Sequence, residues 1–360
     1  MKRALKVRQI CFFIIAFLPV TKFFMLSSVL SSAAREDMWI SGLLSLVFDL
    51  IAVISLTFVF TDEKRDFFTI AEETFGKTGK NILLALYLLF FLAKATLPVC
   101  EQKDYVEFTL YLNRPNIVYF APFFICVFFV ATKNLTLFGR LSDLFWLITV
   151  VGYALLIALS VPGTDFGAIL PVGANGIRNI AKGTFASLGW FSDGAYFLFF
   201  IGKTVPEKRS WLKILLSFLL HTAMVTFFFV VFNGIFTSIG FRQRFALTET
   251  SKYATVINNL GRFDYIGITC ILFSALFSLS LPLFFASKIL DELFRIKKGY
   301  ISPLIVSAFI FLTVMLSERR GRFIEDLFTG VFPAYFLAFG TVFPLLFPLI
   351  FRRKNENQKD

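Results

Sequence analysis

An apolar run in the first part of the chain is interrupted by Phe17-Leu18-Pro19-Val20-Thr21-Lys22-Phe23. Proline removes a backbone donor and clashes with the preceding turn of a helix, and Thr21 and Lys22 bring polar groups to mid-run. A second run carries Gly189-Trp190-Phe191-Ser192-Asp193-Gly194-Ala195-Tyr196, in which two glycines bracket an aspartate. Both stretches predict a helix broken near its centre. Alternatively, Pro19 only kinks its helix and the glycines only permit close packing.

These two stretches lie in a chain whose composition indicates lipid surroundings. Of its 360 residues, 57% are apolar and 51 are phenylalanine, which is more than one soluble core could bury. A span needs about 20 apolar residues, and a single lipid-exposed strand cannot satisfy its backbone there. We therefore predict an all-α integral membrane protein with about ten transmembrane helices. The predicted spans are 9–30, 39–60, 81–110, 116–132, 140–161, 184–203, 211–239, 264–290, 300–316 and 325–350.

The two broken runs are the first and the sixth of these ten. Inverted-repeat transporters place discontinuous helices at equivalent positions of their two halves, around a site near the bilayer midplane. We therefore predict a five-plus-five inverted repeat with broken helices one and six. Residues 1–360 would form a single polytopic membrane domain with halves at about 9–161 and 184–350, and a cytoplasmic tail at 351–360.

The net charge of +12 comes from basic residues in short loops, which in a membrane protein indicate its orientation in the bilayer. We therefore predict no nucleic-acid binding. With the first tail inside, the inner connections carry about twice as many Lys and Arg residues as the outer ones. This bias predicts that both termini are cytoplasmic. The first apolar run is long enough to span, so we expect an uncleaved first helix. The loop 240–263 would lie outside, with one or two short helices between Thr248 and Leu260.

The sequence carries no recognisable motif of enzyme chemistry. The sequence has no nucleophile elbow, phosphate loop, metal cluster or dinucleotide fingerprint, so we predict neither an enzyme nor a cofactor. The cysteines form no Cys-x-x-Cys pair, and we interpret them as small helix residues without a disulfide or metal role. They are Cys11, Cys100, Cys126 and Cys270.

Charged residues at membrane depth usually face a cavity or a partner. Six stand out: Lys22, Asp49, Lys94, Glu101, Lys103 and Asp193. We expect Lys22 to point into a central cavity, with Asp193, Glu101 or the carboxylate of a ligand as its partner. The predicted ligand-binding residues are Pro19, Val20, Thr21, Lys22, Lys94, Glu101, Gly189, Ser192, Asp193 and Gly194.

The other polar positions have plainer interpretations. Asp49 could accept hydrogen bonds where helices pack. Lys103 and Asp104 could belong to the solvated end of span three. His221 is expected to be structural, and Arg140 could pair with Asp143 at the start of span five.

Four short patterns follow one another along the chain. They are Ala34-Arg35-Glu36-Asp37-Met38-Trp39-Ile40, then Phe75-Gly76-Lys77-Thr78-Gly79-Lys80 leading to Leu86-Tyr87, then Gly139-Arg140-Leu141-Ser142-Asp143, and Asp165-Phe166-Gly167-Ala168-Ile169-Leu170-Pro171-Val172 before Gly176. In order and spacing they resemble the spore-germination permeases, which are the B subunits of nutrient germinant receptors in the amino acid–polyamine–organocation transporter superfamily. The resemblance covers about Val7 to Arg352.

The resemblance implies the fold of the leucine transporter, with helices one and six unwound around the ligand. It also implies a small nutrient, commonly an amino acid, and two partners, a membrane A subunit and a lipoprotein C subunit. The expected location is the inner membrane of a bacterial spore, or otherwise the cell membrane. Lys22 and Asp193 depart from the family, in which the first break is rich in Gly and Ser.

Three functional hypotheses follow. The first is a germinant-receptor subunit that binds an amino-acid-like nutrient. The second is a proton-coupled secondary transporter of amino acids or amines, for which Lys22 or Glu101 could be the protonation site. The third is a structural membrane subunit with a vestigial pocket.

Overall fold

The helices of the protein fall on the ten predicted spans. A computed structural model describes residues 5–60, 65–110, 116–205, 207–252, 264–317 and 323–357. The helices are α1 Val7–Ala16, α2 Leu26–Ala34, α3 Met38–Phe60, α4 Phe67–Leu110, α5 Asn116–Ala131, α6 Leu135–Ser160, α7 Ile177–Ser187, α8 Gly194–Phe200, α9 Ser210–Phe236, α10 Ala246–Ser251, α11 Asp264–Phe294, α12 Ile301–Ser317, α13 Phe323–Gly330, α14 Pro333–Phe336 and α15 Phe343–Asn357.

Length and hydropathy support a membrane location. In the described part of the chain, six helical stretches are long and apolar enough to cross a bilayer, and two shorter apolar helices lie at Phe120–Ala131 and Ile301–Leu316. One long stretch, Leu26–Thr57, runs from α2 into α3 through a bend at Arg35, whose φ is 51°. The broken spans one and six consist of pieces that are each too short to cross alone.

Both predicted breaks are confirmed. In span one, α1 gives way to a 3₁₀ segment, Leu18–Lys22, and helical geometry resumes only at α2. In span six, residues 188–193 separate α7 from α8, and Ser192 has a φ of 65°. Proline at the start of the 3₁₀ segment and the left-handed Ser192 are both incompatible with a continuous α-helix.

Three spans differ most from the prediction. α4 begins at Phe67 instead of 81, because the helix continues through a kink at Gly76, whose φ is 71°. α7 begins at Ile177 instead of 184. Span ten was predicted as one helix, but α13 and α14 are separated at 331–332, and a π-helical segment, Leu337–Val342, joins α14 to α15. Hydropathy does not detect such changes in winding.

A short parallel strand pair joins the beginning of span one to the end of span six at one end of the bundle. β1, Leu5–Lys6, precedes α1 and pairs with β2, Thr204–Val205, which follows α8. We call this the strand end. Nearby, Asp143 of α6 accepts hydrogen bonds from Arg8 at 3.1 Å and Gln9 at 2.7 Å. Asp143 thus binds α1, a contact not anticipated by its expected pairing with Arg140.

The opposite end, which we call the α10 end, carries α10 and the segment before α7. The carboxylate of Asp37 accepts from the backbone N–H groups of Gly173 at 2.7 Å and Asn175 at 2.9 Å. α10 occupies the start of the segment predicted to hold short helices, and residues 253–263 lie outside the described residues. The Asp37 carboxylate fixes the start of α3 against the loop that leads into span six.

Small side chains bring α7 against α3. Ser41 donates to the carbonyl of Ile180 at 3.0 Å, and the hydroxyls of Ser45 and Ser187 lie 2.8 Å apart. A Cβ on Gly183 would lie 2.8 Å from Ser41 Oγ. Close backbone approach through small and hydroxyl residues is typical of helix packing in membranes, and it positions the break in span six beside α3.

Candidate functional site

The two breaks meet through a buried ion pair. Lys22 Nζ lies 2.6 Å from Asp193 Oδ2, and the two side chains are 1% and 2% exposed. The same ammonium lies 5.5 Å from the centroid of the Phe191 ring. A charge at this depth is tolerated when it is paired and hydrogen-bonded. The pair therefore holds together two backbone segments that are both irregular.

Lys94 of α4 binds the break in span six from the other side. Its ammonium lies 3.0 Å from Asp193 Oδ1. It also donates to the carbonyls of Gly189 at 3.4 Å and Trp190 at 3.2 Å, and to that of Phe191 in a short contact. Buried backbone carbonyls need donors, and Lys94 supplies them to this non-helical segment between α7 and α8.

Asp49 of α3 completes the cluster. Its Oδ1 accepts from the backbone N–H of Asp193 at 3.0 Å, and the residue is 1% exposed. Asp49, which the sequence suggests as a residue of helix packing, is not among the predicted ligand-binding residues. Its position at mid-span was the available signal. With Lys22, Lys94, Asp49 and Asp193 all ionised, this four-residue cluster has no net charge.

The break in span one is satisfied by other elements. Ser278 of α11 donates to the carbonyl of Phe17 at 2.6 Å. The N–H groups of Ala246 and Leu247, at the start of α10, donate to the carbonyls of Phe24 and Phe23 at 3.3 and 3.1 Å. Because buried backbone groups need partners, α10 and α11 stabilise the unwound segment directly.

A small cavity lies between the two breaks, α4 and α11. Its volume is about 20 Å³, which is room for roughly one water molecule. Four predicted site residues line it, namely Thr21, Lys94, Gly189 and Asp193. The other lining residues are Phe13, Phe17, Leu18, Pro98, Trp190, Tyr196 and Ser278. The conformation seen here is closed around the centre.

The remaining predicted residues lie beside the cavity. Lys22 contacts it through Asp193, and Pro19 and Val20 are buried in the 3₁₀ segment. Ser192 donates to the carbonyl of Leu188 at 3.0 Å. A Cβ on Gly194 would lie 2.6 Å from the carbonyl oxygen of Gly340. These residues shape the break and do not line the cavity.

Glu101 is also buried and lies one turn beyond Pro98 on α4. Its Oε1 accepts from the indole N–H of Trp190 at 2.8 Å, and it is 1% exposed. Within the described residues its Oε2 has no hydrogen-bond partner. Gln102 and Lys103 are buried as well, so Lys103 does not belong to a solvated end of span three, whereas the side chain of Asp104 is 29% exposed.

A wider cavity of about 500 Å³ opens toward the α10 end, between α2, α7 and α13. We call it the vestibule. Arg244 lines it and lies 3.6 Å from Asp104 and 3.8 Å from Glu325. Met25, Lys182 and Phe241 also contribute to its walls. The vestibule provides room for a small solute that the central cavity lacks.

His221 is fully buried on α9, and neither ring nitrogen has a hydrogen-bond partner among the described residues. Its ring contacts Phe218 edge-on, and the charges of Lys22 and Asp193 act on it electrostatically. A single histidine in an apolar helix gave no sequence signal of this proximity.

Comparison with known proteins gives a family match. The model of a permease family described as "Spore germination protein" matches residues 4–322. No curated protein sequence matches the chain.

Solved structures give the fold. The crystal structure of MhsT in complex with L-phenylalanine has a TM-score of 0.58 and 13% identity, covering 94% of this chain and 87% of that one. The manganese transporter of Eremococcus coleocola, in complex with an aromatic bis-isothiourea compound, has a TM-score of 0.57 and 14% identity, covering 94% and 78%. At such identities the likeness concerns the fold alone, and it confirms the predicted leucine-transporter fold.

Proposed function

The chain belongs to the family of spore germination permeases, and on that premise we propose that it is the membrane subunit of a spore germinant receptor. It binds a small nutrient such as an amino acid in the central cavity. A receptor of this kind needs only a ligand-dependent shift between two conformations. The proposed role involves no chemical conversion and no cofactor.

The equal number of buried amine and carboxyl side chains in the cluster is the observation that carries this proposal. Lys22 and Lys94 offer ammonium groups, and Asp49 and Asp193 offer carboxylates, all of them buried. A zwitterionic ligand could exchange its own carboxylate and amine into such pairs without adding net charge. A ligand with a single net charge would leave one buried charge uncompensated, which is costly.

The walls of the cavity favour an apolar side chain. Phe13, Phe17 and Tyr196 face it, as does Trp190. MhsT, which shares the fold, was crystallised with L-phenylalanine, and this supports an amino acid as the ligand class. A volume of about 20 Å³ cannot hold one, so binding must select a wider state of the same site.

We place the protein in the inner membrane of a bacterial spore, with an A-type membrane subunit and a C-type lipoprotein as partners. The two-fold excess of Lys and Arg in the inner connections supports cytoplasmic termini, so the α10 end would face outward. A cysteine introduced as Lys252→Cys in a cysteine-free background tests the orientation. Labelling by an impermeant maleimide from the cytoplasmic side alone would contradict it.

The ligand is tested on purified protein in lipid nanodiscs. We expect one or more L-amino acids with apolar side chains to raise Tm saturably, because they bind only the native state. Lys22→Met should remove this response. The matched control is Lys213→Met, since Lys213 is half-exposed and pairs with Glu207 at 2.7 Å near the strand end.

Two outcomes would contradict the assignment. If Lys22→Met responds to the same amino acid as the parent, the site lies elsewhere. If no amino acid shifts Tm in the parent, the hypothesis of a structural subunit with a vestigial pocket gains support.

Glu101 favours one alternative, a proton-coupled transporter of amino acids or amines. A buried carboxyl with an unpartnered oxygen is a site where a proton can be held, since burial disfavours the charged form. Proteoliposomes loaded with a pH gradient test this function. Uptake that collapses with a protonophore and is lost in Glu101→Gln would support transport, whereas binding without uptake supports the receptor.

A further inference from the structure

The ammonium of Lys94 sits in a cage of oxygen atoms. Three are the backbone carbonyls of Gly189, Trp190 and Phe191, and the fourth is Asp193 Oδ1 at 3.0 Å. Lys94 itself is 5% exposed. An ammonium has three N–H donors, so it cannot give each of four oxygens a separate directed hydrogen bond. A spherical cation could contact all four.

The cage also has the electrostatics of a cation site. The three carbonyls lie just beyond the C-terminal end of α7, which ends at Ser187, and they face the negative end of that helix dipole. In transporters with broken helices, unwound carbonyls and half-helix C-terminal ends are the groups that coordinate a coupling cation. Rings of carbonyl oxygens likewise replace the hydration shell of a monovalent ion in channels.

The charges around the cage determine whether it suits a monovalent or a divalent cation. With all four groups ionised, Lys22 and Lys94 balance Asp49 and Asp193, so removing the ammonium of Lys94 would leave a net charge of −1. Asp49 Oδ2 is buried without a hydrogen-bond partner in the described part of the chain, which adds a further oxygen near the cluster. A single positive charge restores neutrality, and a divalent ion would exceed it.

We propose that the carbonyls of Gly189, Trp190 and Phe191 and the carboxylate of Asp193 form a monovalent-cation site that Lys94 fills with its own ammonium. The parent protein therefore takes up no free Na⁺ or K⁺ there. A variant without this ammonium binds a free monovalent cation in its place. If the proposed nutrient binding is correct, it is then independent of Na⁺.

The test compares Tm of purified protein in nanodiscs in NaCl, LiCl, KCl and NH₄Cl against choline chloride at equal ionic strength. Choline is too large for the cage. We expect the parent to have one Tm in all five salts. In choline chloride, Lys94→Ala should have a lower Tm than the parent. Its Tm should rise saturably by about 3 °C or more with at least one small cation.

Two variants serve as controls. Lys103→Ala removes another buried lysine of α4, which lies 3.3 Å from Asp104 and outside the cage, and should show no cation preference. Adding Asp193→Asn to Lys94→Ala removes the remaining net charge, so the cation response should disappear.

The readout needs no nutrient, so its failure is distinct from failure of the proposed function. A saturable Na⁺ or K⁺ effect on the parent would overturn the inference, because the cage would then not be filled by Lys94. So would a Lys94→Ala variant with the same Tm in all five salts, which would mean that a proton on Asp49 or Asp193 neutralises the cluster instead. If Lys94→Ala cannot be purified, Lys94→Gln is measured in the same way with the same expectation.

Discussion

Gly340 lies so close to Ser192 that a Cβ atom built on Gly340 would be 2.2 Å from Ser192 Cβ and 2.9 Å from the carbonyl oxygen of Ser192. Ser192 is the residue of the span-six break with a φ of 65°. The π-helical segment Leu337–Val342 thus packs its glycine directly on the unwound backbone. Span ten is therefore part of the structure that holds the central site in shape.

Gly340→Ala should lower Tm and abolish the amino-acid response. The new methyl group has no space, and overpacking typically costs about 1–3 kcal/mol, here at the break itself. Thermal unfolding in nanodiscs with and without the amino acid measures both effects. Gly330→Ala is the control, because among the described residues no atom outside its own stretch of helix lies within 4 Å of a Cβ built there. Equal effects of the two substitutions would contradict the role of the contact.

Lys22→Met should destabilise the protein more than the double variant Lys22→Met/Asp193→Asn. Removing one partner of a buried pair leaves an uncompensated charge and costs about 3–5 kcal/mol. Removing both restores neutrality between Lys94 and Asp49. Because Lys94 still contacts Asp193, the single variant should lie at the lower end of that range. Tm values of parent, both single variants and the double variant measure the coupling, and strictly additive losses would argue against the pair.

Glu101→Gln should have a Tm close to that of the parent, whereas Glu101→Leu should have a lower Tm. Glutamine retains an oxygen that can accept from the indole N–H of Trp190, which now donates at 2.8 Å. Leucine leaves that buried donor unpaired, at a cost of about 1–3 kcal/mol. Tm and tryptophan fluorescence give the two readouts. A Leu variant as stable as the Gln variant would show that the hydrogen bond is dispensable.

Asp143→Ala should expose the strand-end half of span one. It removes the acceptor for Arg8 and Gln9, and the pair with Arg8 is largely exposed, so we expect a stability loss of only about 1 kcal/mol. Labelling of Cys11, which is 7% exposed, should become faster in a variant whose other three cysteines are alanine. Asp165→Ala, which removes a cap at the α10 end, should leave the labelling rate unchanged.

Local sequence patterns were sufficient to predict the positions of the spans and the breaks in spans one and six. Apolar runs of spanning length fix where helices lie in a membrane protein, and Pro19 and the glycines around Asp193 mark positions where a helix cannot continue. The charged residues Lys22, Lys94 and Asp193 were also identified, because charge at membrane depth is rare whatever the fold.

The partners within the site could not be predicted in the same way. That Lys94 meets the carbonyls of residues 189–191 depends on the depth and rotation of α4 relative to span six. Tyr196 and Ser278 have the character of ordinary transmembrane residues, and hydropathy does not distinguish a cavity wall from a lipid-facing surface. The π-helical segment contacts Ser192 through Gly340, and no local pattern of span ten reveals that contact.

The separation of 171 residues between Lys22 and Asp193 has a consequence for biogenesis. Span one leaves the ribosome long before its counter-charge has been synthesised, and an unpaired lysine at the centre of a helix costs roughly 3 kcal/mol on insertion. During that interval the nascent first helix must stay at a protein-lined or hydrated site, or keep its lysine near the headgroups. The first helix therefore reaches its final position in the bilayer only after Asp193 and α8 have been synthesised and inserted. The central site consequently forms late in the assembly of the protein.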